Sequence, residues 1–345
     1  MVTRIYAAMA EELLVASRRN GGWRTERRLL GSSPQSVAVD PLRPEVVYCG
    51  TFDRGLWSSV DAGDSWKRVG ESVVREPVTA VAVSAAERAG GHGVVYVGTE
   101  PSAVYRSEDG GETWRELEGL RELPSEPEWS FPPKPETHHV RWISTDPNSP
   151  GRVFVAIEAG ALIRSLDGGE TWEDRIADGP RDTHTLATHK GAPGRLYSAA
   201  GDGLMTPGRG YAESDDAGTN WLRISEGLRH HYLVGLAVDP GGPETVVVSA
   251  ANSPWKAHNI GGAQSTIYRK TAGEPWQEVR EGLPDLEGRT VAVLAANQDE
   301  SGVFYALTNK GLYRSPDAGF SWERLDLSLY DHYQRPTGLA VVEDG

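Results

Sequence analysis

The segment Ala161-LIRSLDGGETW-Glu173 decides how this chain is read, because it recurs along the whole sequence. It returns as Gly55-LWSSVDAGDSW-Lys67, Ala103-VYRSEDGGETW-Arg115, Tyr211-AESDDAGTNW-Leu222 and Gly311-LYRSPDAGFSW-Glu323. Thr266-IYRKTAGEPW-Gln277 keeps the pattern without its Asp, and a worn copy ends at Trp23. The tryptophans Trp23, Trp66, Trp114, Trp172, Trp221, Trp276 and Trp322 stand 43, 48, 58, 49, 55 and 46 residues apart. A period of this length marks an array of supersecondary units, none of which can bury its apolar face alone. The shared core S-x-D-x-G-x-[ST]-W has a structural logic. The Asp accepts hydrogen bonds from nearby backbone N–H groups, the Gly takes a backbone angle other residues resist, and the Trp staples the turn with apolar area.

A second pattern lies upstream of each turn. Ser36-VAVDPLRPEVVYCGT-Phe52, Trp142-ISTDPNSPGRVFVAI-Glu158 and Gly235-LAVDPGGPETVVVSA-Ala251 each hold two β-branched runs around a Pro/Gly turn, which reads as a hairpin. Two hairpins per repeat make a four-stranded antiparallel blade, with strands A to D counted outward from the axis. The sequence therefore predicts an all-β fold, a single seven-bladed β-propeller over 1–345. Its last blade is closed by three N-terminal strands, B in Arg4-IYAAM-Ala10, C in 13–17 and D in 23–30, and by a C-terminal strand A in 337–343.

Composition narrows the class. The 345 residues include 40 Gly and 22 Pro, which suits a chain of many turns. The single cysteine, Cys49, excludes an internal disulfide and a multi-Cys zinc site. No run of about 18 apolar residues is present to cross a membrane as a helix. Glu11 and Glu12 interrupt what a signal peptide would need to be apolar, so a cytoplasmic location is expected. The net charge of -14 argues against a nucleic-acid partner, which requires a basic footprint.

The repeat turns resemble the Asp-box, or BNR, repeat of sialidase-like propellers and their relatives. That resemblance implies turns on the rim away from the ligand, with structural Asp61, Asp109 and Asp167. Sialidases hold a carboxylated sugar with three arginines and attack with a Tyr activated by Glu. This chain offers Arg141 and Arg289 at strand openings and the pair Tyr211/Glu213, but no third arginine in a matching place, and it starts Arg4-Ile5-Tyr6 where that family has Arg-Ile-Pro. Xyloglucan hydrolases with the same turns work in a cleft between two propellers. Photosystem assembly factors with the same turns are single non-catalytic propellers.

Ligands of such propellers usually meet the face carrying the B–C and D–A loops. The largest insertions fall there: a D–A insertion at 118–137, rich in proline and a candidate flap, and B–C loops at 201–210 and 251–265. His138, His139, His184, His230, His231, His258 and His332 fall there too, while His92 and His189 belong to the opposite face. Imidazole is the side chain best suited to metal ligation and proton transfer near neutral pH. Three uses of this cluster are open. It is polar filler around a wet channel, or a Zn, Mn or Fe site built from two or three of His139, His184 and His231 beside Glu158, or a metal-free acid/base site in which Glu158 and Asp202 pair. The candidate catalytic set is His139, Arg141, Glu158, His184, Asp202 and His231. The candidate substrate-binding set is Trp129, Tyr232, Asn252, Trp255, His258 and Arg289. The expected role is binding of a carbohydrate or small polar ligand by a hydrolase- or lyase-like enzyme. The alternative is a non-catalytic scaffold that uses the same face for a protein partner.

Overall fold

The computed structural model describes residues 2–19, 21–327 and 335–344. His332 and most of the loop that carries it lie outside the described residues. Seven antiparallel sheets form a ring in which the seven A strands touch their neighbours in a closed cycle. Blade 1 spans 34–69, blade 2 spans 78–116, blade 3 spans 140–173, blade 4 spans 183–223, blade 5 spans 232–279 and blade 6 spans 293–324. Blade 7 is the seam: Pro336–Asp344 pairs with Val2–Met9, which pairs with Glu12–Arg19 and then Gly22–Arg28. In blade 3 the outermost strand shrinks to one bridge, Arg164 to Glu173.

The wedge shape of a blade follows from residue size. Strand B places a buried aromatic opposite a small residue of strand A. The pairs are Tyr48–Ala38, Tyr96–Ala82, Phe154–Ser144, Tyr197–Ala187, Tyr305–Ala295 and Tyr6–Ala340. The inner strands can then crowd the axis while the bulky groups fill the widening gaps between blades. Those aromatic rings are almost wholly buried.

The S-x-D-x-G turns fasten one blade to the next. In blade 3, Asp167 accepts from Ser165 Oγ (2.8 Å), Thr171 N (2.9 Å) and Thr171 Oγ1 (2.6 Å), and Gly169 N donates to Ser165 Oγ (2.7 Å). These hydrogen bonds hold the Asp167 carboxyl below its ordinary range. The same pattern closes on Asp61, Asp109, Asp216 and Asp317. The residue after each Asp takes a positive φ: 57° at Ala62, 76° at Gly168, 57° at Ala217 and 60° at Ala318. That conformation turns its carbonyl toward the preceding blade, where an arginine binds it. Arg4 reaches Ala62 O (2.9 Å), Arg106 reaches Gly168 O (3.1 Å), Arg164 reaches Ala217 O (2.6 Å) and Arg269 reaches Ala318 O (3.2 Å).

Strand A carries one extra residue near its start in six blades. Register slips leave Gln35, Thr79, Arg141, His184 and Thr337 without a partner position, and a similar slip falls at Val234–Gly235. A bulge re-aims side chains locally. All of these residues lie on the wall of the central cavity.

Gly168→Ala tests the inter-blade latch. A Cβ there would collide with Arg106 Nη1, at φ +76°. The expected cost is about 1–2 kcal/mol, read as a lower urea midpoint. Ala217→Gly, at the same turn position, should show no such loss.

Candidate functional site

A cavity of about 700 Å³ opens at the axis, on the face of the B–C and D–A loops. Its polar corner is built by blades 3, 4 and 5. Glu158 follows strand B of blade 3, His139 and Arg141 open strand A of the same blade, and His184 sits on the bulge of blade 4. Glu158 divides its oxygens between two tasks. His139 Nε2 lies 2.8 Å from Oε2 and Arg141 Nε 3.4 Å from the same atom. Oε1 faces His184 Nε2 at 4.0 Å. Burial would raise the Glu158 carboxyl, but the His139 hydrogen bond and the charges of Arg141 and His184 prevail and hold it at about 2.

His184 is 2% exposed. Its Nδ1 lies 2.6 Å from Leu233 O, so Nδ1 carries the hydrogen and donates it to that carbonyl. Nε2 then points at Asp182 Oδ1 (3.6 Å), Glu158 Oε1 and the Tyr232 hydroxyl (3.4 Å). Asp182 accepts from Ala159 N at 2.8 Å. Burial and the neighbouring Glu158 charge raise its pKa, although the His184 charge opposes this. The two carboxyls are thus pushed apart, which is how acid and base roles are divided.

Aromatic groups form the walls. Phe52, Phe131, Trp142, Tyr232 and Trp255 line the cavity, and Trp255 is 64% exposed on the short helix Pro254–His258. His258 opens onto the cavity, yet removal from bulk solvent and the His184 and Arg141 charges push it down to about 4, so it is neutral at pH 7. Burial raises the Tyr232 hydroxyl. The first part of the 118–137 insertion is anchored rather than loose. Leu120, Leu123 and Trp129 pack into the core shared by blades 2 and 3, and Ser125 N and Oγ bind Asp174. Its second part brings Phe131, Pro133 and Lys134 to the rim, with Phe131 edge-on to His139.

The structure therefore gathers His139, Arg141, Glu158, His184, Tyr232, Trp255 and His258 around one cavity. It places five other candidates elsewhere. Asp202 does not face Glu158; it accepts from Arg181 N (3.0 Å) and Asp182 N (3.3 Å), and so holds Asp182 from behind. His231 does not line the cavity with His139 and His184; its carbonyl packs against Gly203 and Gly210. Trp129 is 5% exposed and donates to Ser125 Oγ at 2.9 Å, an anchor rather than a stacking platform. Arg289 is 2% exposed and spends its guanidinium on Ser265 O and Pro284 O, with burial lowering its pKa to about 10. Asn252 is exposed beyond strand B of blade 5 and is not a lining residue. Tyr211 and Glu213 do pair, at 2.7 Å, but Tyr211 is fully buried and Glu213 is bound to Lys270 and Arg195. Asp182, the residue just before strand A of blade 4, takes the place expected of Asp202.

Fold and cavity define a seven-bladed β-propeller with a polar corner at one channel mouth. No family model matches the chain. A xyloglucanase of Hypocrea jecorina (strain QM6a) is 24% identical over 213 residues, covering 61% of this chain and 22% of that protein. The GH74 enzyme of Niastella koreensis superposes with a TM-score of 0.64 at 16% identity, over 92% of this chain and 54% of that one. YCF48 from Cyanidioschyzon merolae gives a TM-score of 0.56 at 13% identity, over 86% of this chain and 85% of that one. The chain thus spans about a fifth of the curated relative it matches and about half of the GH74 chain, and these structural likenesses are likenesses of fold.

Glu158→Gln should make stability less sensitive to acid. The folded carboxyl, at about 2, lies below its ordinary value of 4.5. Its contribution is fully present above about pH 4.5 and is lost as pH falls through 2. Urea midpoints at pH 7 and pH 3 should show a gap between wild type and variant that narrows at the lower pH. An equal gap at both would contradict the assignment.

Proposed function

We propose that this propeller binds a carbohydrate or a similar small polar ligand in the axial cavity and cleaves it as a hydrolase or lyase. The observation that carries this reading is the convergence of Glu158, His139, Arg141 and His184 beneath aromatic walls in one cavity. Aromatic faces suit the apolar faces of sugar rings, and a few convergent polar groups fix orientation. In this reading Glu158 is the ionised carboxylate that accepts a proton or steadies a developing positive charge. His184 presents Nε2 toward the ligand, with Tyr232 beside it and Leu233 O setting the orientation of the ring. Arg141 neutralises charge on the ligand side. The likeness to a xyloglucanase and to GH74 propellers supports a carbohydrate ligand.

A scaffold reading is favoured by one observation. A YCF48 structure with a bound D1 peptide matches 85% of this chain and 81% of its own, at 17% identity and a TM-score of 0.57. That makes the whole ring, rather than half of a larger enzyme, the unit compared.

Xyloglucan oligosaccharides, neutral glycosides and uronate polymers form the test panel, with reducing-end release and absorbance of unsaturated products as readouts. Turnover of one class is expected, falling by about 10²–10⁴ in Glu158→Gln. No turnover and no saturable binding of any class would transfer the site to the scaffold reading.

A further inference from the structure

We propose that Glu158, Asp182 and His184 form a binding site for one divalent transition-metal cation, of the zinc or manganese type. Each of the three residues offers a donor atom within 4.8 Å of the others. The sequence reading set two or three of His139, His184 and His231 beside Glu158; the cluster that converges here is His184 with Glu158 and Asp182, one imidazole and two carboxylates. Imidazole with carboxylate is a donor set for zinc, manganese or ferrous iron rather than for magnesium or calcium, which take oxygen.

The donors are held in place before any ion arrives. A metal-binding imidazole normally donates its other ring N–H to a carbonyl or carboxylate, which fixes ring and tautomer. His184 does this through Nδ1 to Leu233 O, leaving Nε2 aimed into the cluster. The ring is 2% exposed; Nε2 accepts only a long hydrogen bond from the Tyr232 hydroxyl (3.4 Å), which a cation would displace, while Asp182 Oδ1 (3.6 Å) and Glu158 Oε1 (4.0 Å) stand back. Glu158 is oriented in the same manner, with Oε2 held by His139 and Arg141 while Oε1 faces His184. Asp182 is fixed by Ala159 N through its side chain and by Asp202 through its backbone. Three donors, each with an outer partner, therefore converge from two adjacent blades.

The fourth side is the cavity. Glu158, His184 and Tyr232 line it, whereas Asp182 is not a lining residue and stands behind them. A cation held by three protein donors with an open side toward a ligand cavity has the arrangement of a reactive rather than a purely structural site. Donor–metal distances of about 2.0–2.2 Å bring ligand atoms within about 3.0–3.5 Å of one another. The separations of 3.6 and 4.0 Å at Nε2 therefore close on binding. The cation would also relieve the repulsion between two carboxylates that share this small space. The inference goes beyond the carbohydrate reading, because the site stands whatever the ligand is.

The test is binding, without any sugar. The full chain, stripped with chelator and dialysed, is titrated calorimetrically with ZnCl₂ and separately with MnCl₂, with MgCl₂ as the control. One equivalent of Zn²⁺ or Mn²⁺ is expected, with little response to Mg²⁺. His184→Gln and Asp182→Asn should each weaken it by at least about tenfold, while His189→Gln, on the opposite face, should not. Circular dichroism checks that each variant is folded, and one folded site variant is enough to decide the outcome. Absence of saturable binding overturns the proposal. So does binding that survives in a folded His184→Gln or Asp182→Asn variant, because the ion would then sit elsewhere. A cation bound without sugar turnover would leave the site intact and retire only the carbohydrate reading.

Discussion

Crowding at the axis governs this molecule. Seven A strands meet around one channel, and each must be lean enough to pass its neighbours. The alanines and the serine opposite the strand B aromatics meet that requirement, and the aromatics take up the space that opens outward. Because the inner strands are lean, their few projecting side chains command the channel. The bulges decide which ones project. They turn Gln35, Thr79, Arg141, His184 and Thr337 to one level of the wall. The polar corner is therefore a product of backbone register as much as of residue choice.

Outside the axis, the blades are joined by a division of labour within each turn. The Asp organises the loop, and the next residue, forced to positive φ, offers its carbonyl to an arginine of the preceding blade. The loop face opposite the cavity thus carries much of the inter-blade fastening. The cavity face joins its blades by other contacts, such as His184 to Leu233 O and Thr79 to Val140 O, and it holds the long insertions.

Much of the architecture was legible in the sequence. The recurring Ser, Asp, Gly and Trp set the blade number, and the alternation around Asp40, Asp146 and Asp239 marked the inner hairpins. The face bearing the histidines was legible as well. The pairing of individual side chains was not. Asp202 and Asp182 are both acids at the same end of blade 4, and only a short turn at Gly201–Leu204 folds the first behind the second. His231 and His184 both sit near the start of a strand A, yet the bulge falls on His184 in one blade and after Tyr232 in the other. A one-residue register slip leaves no mark in residue type. Trp129 and Arg289 looked like ligand groups because Trp and Arg are common in such roles. Burial gave them structural partners instead.

The seam has a consequence for how the ring comes apart. Blade 7 is shared between the two chain ends, and the sheets run in the order 7, 1, 2, 3, 4, 5, 6 around the axis. Blades 3 and 4, which carry Glu158 and His184, lie diametrically across from that junction. Fraying that begins where the ends interlock must unzip the intervening blades on either side before it reaches the polar corner. The part of the ring best insulated from breathing at its clasp is the part that carries its chemistry.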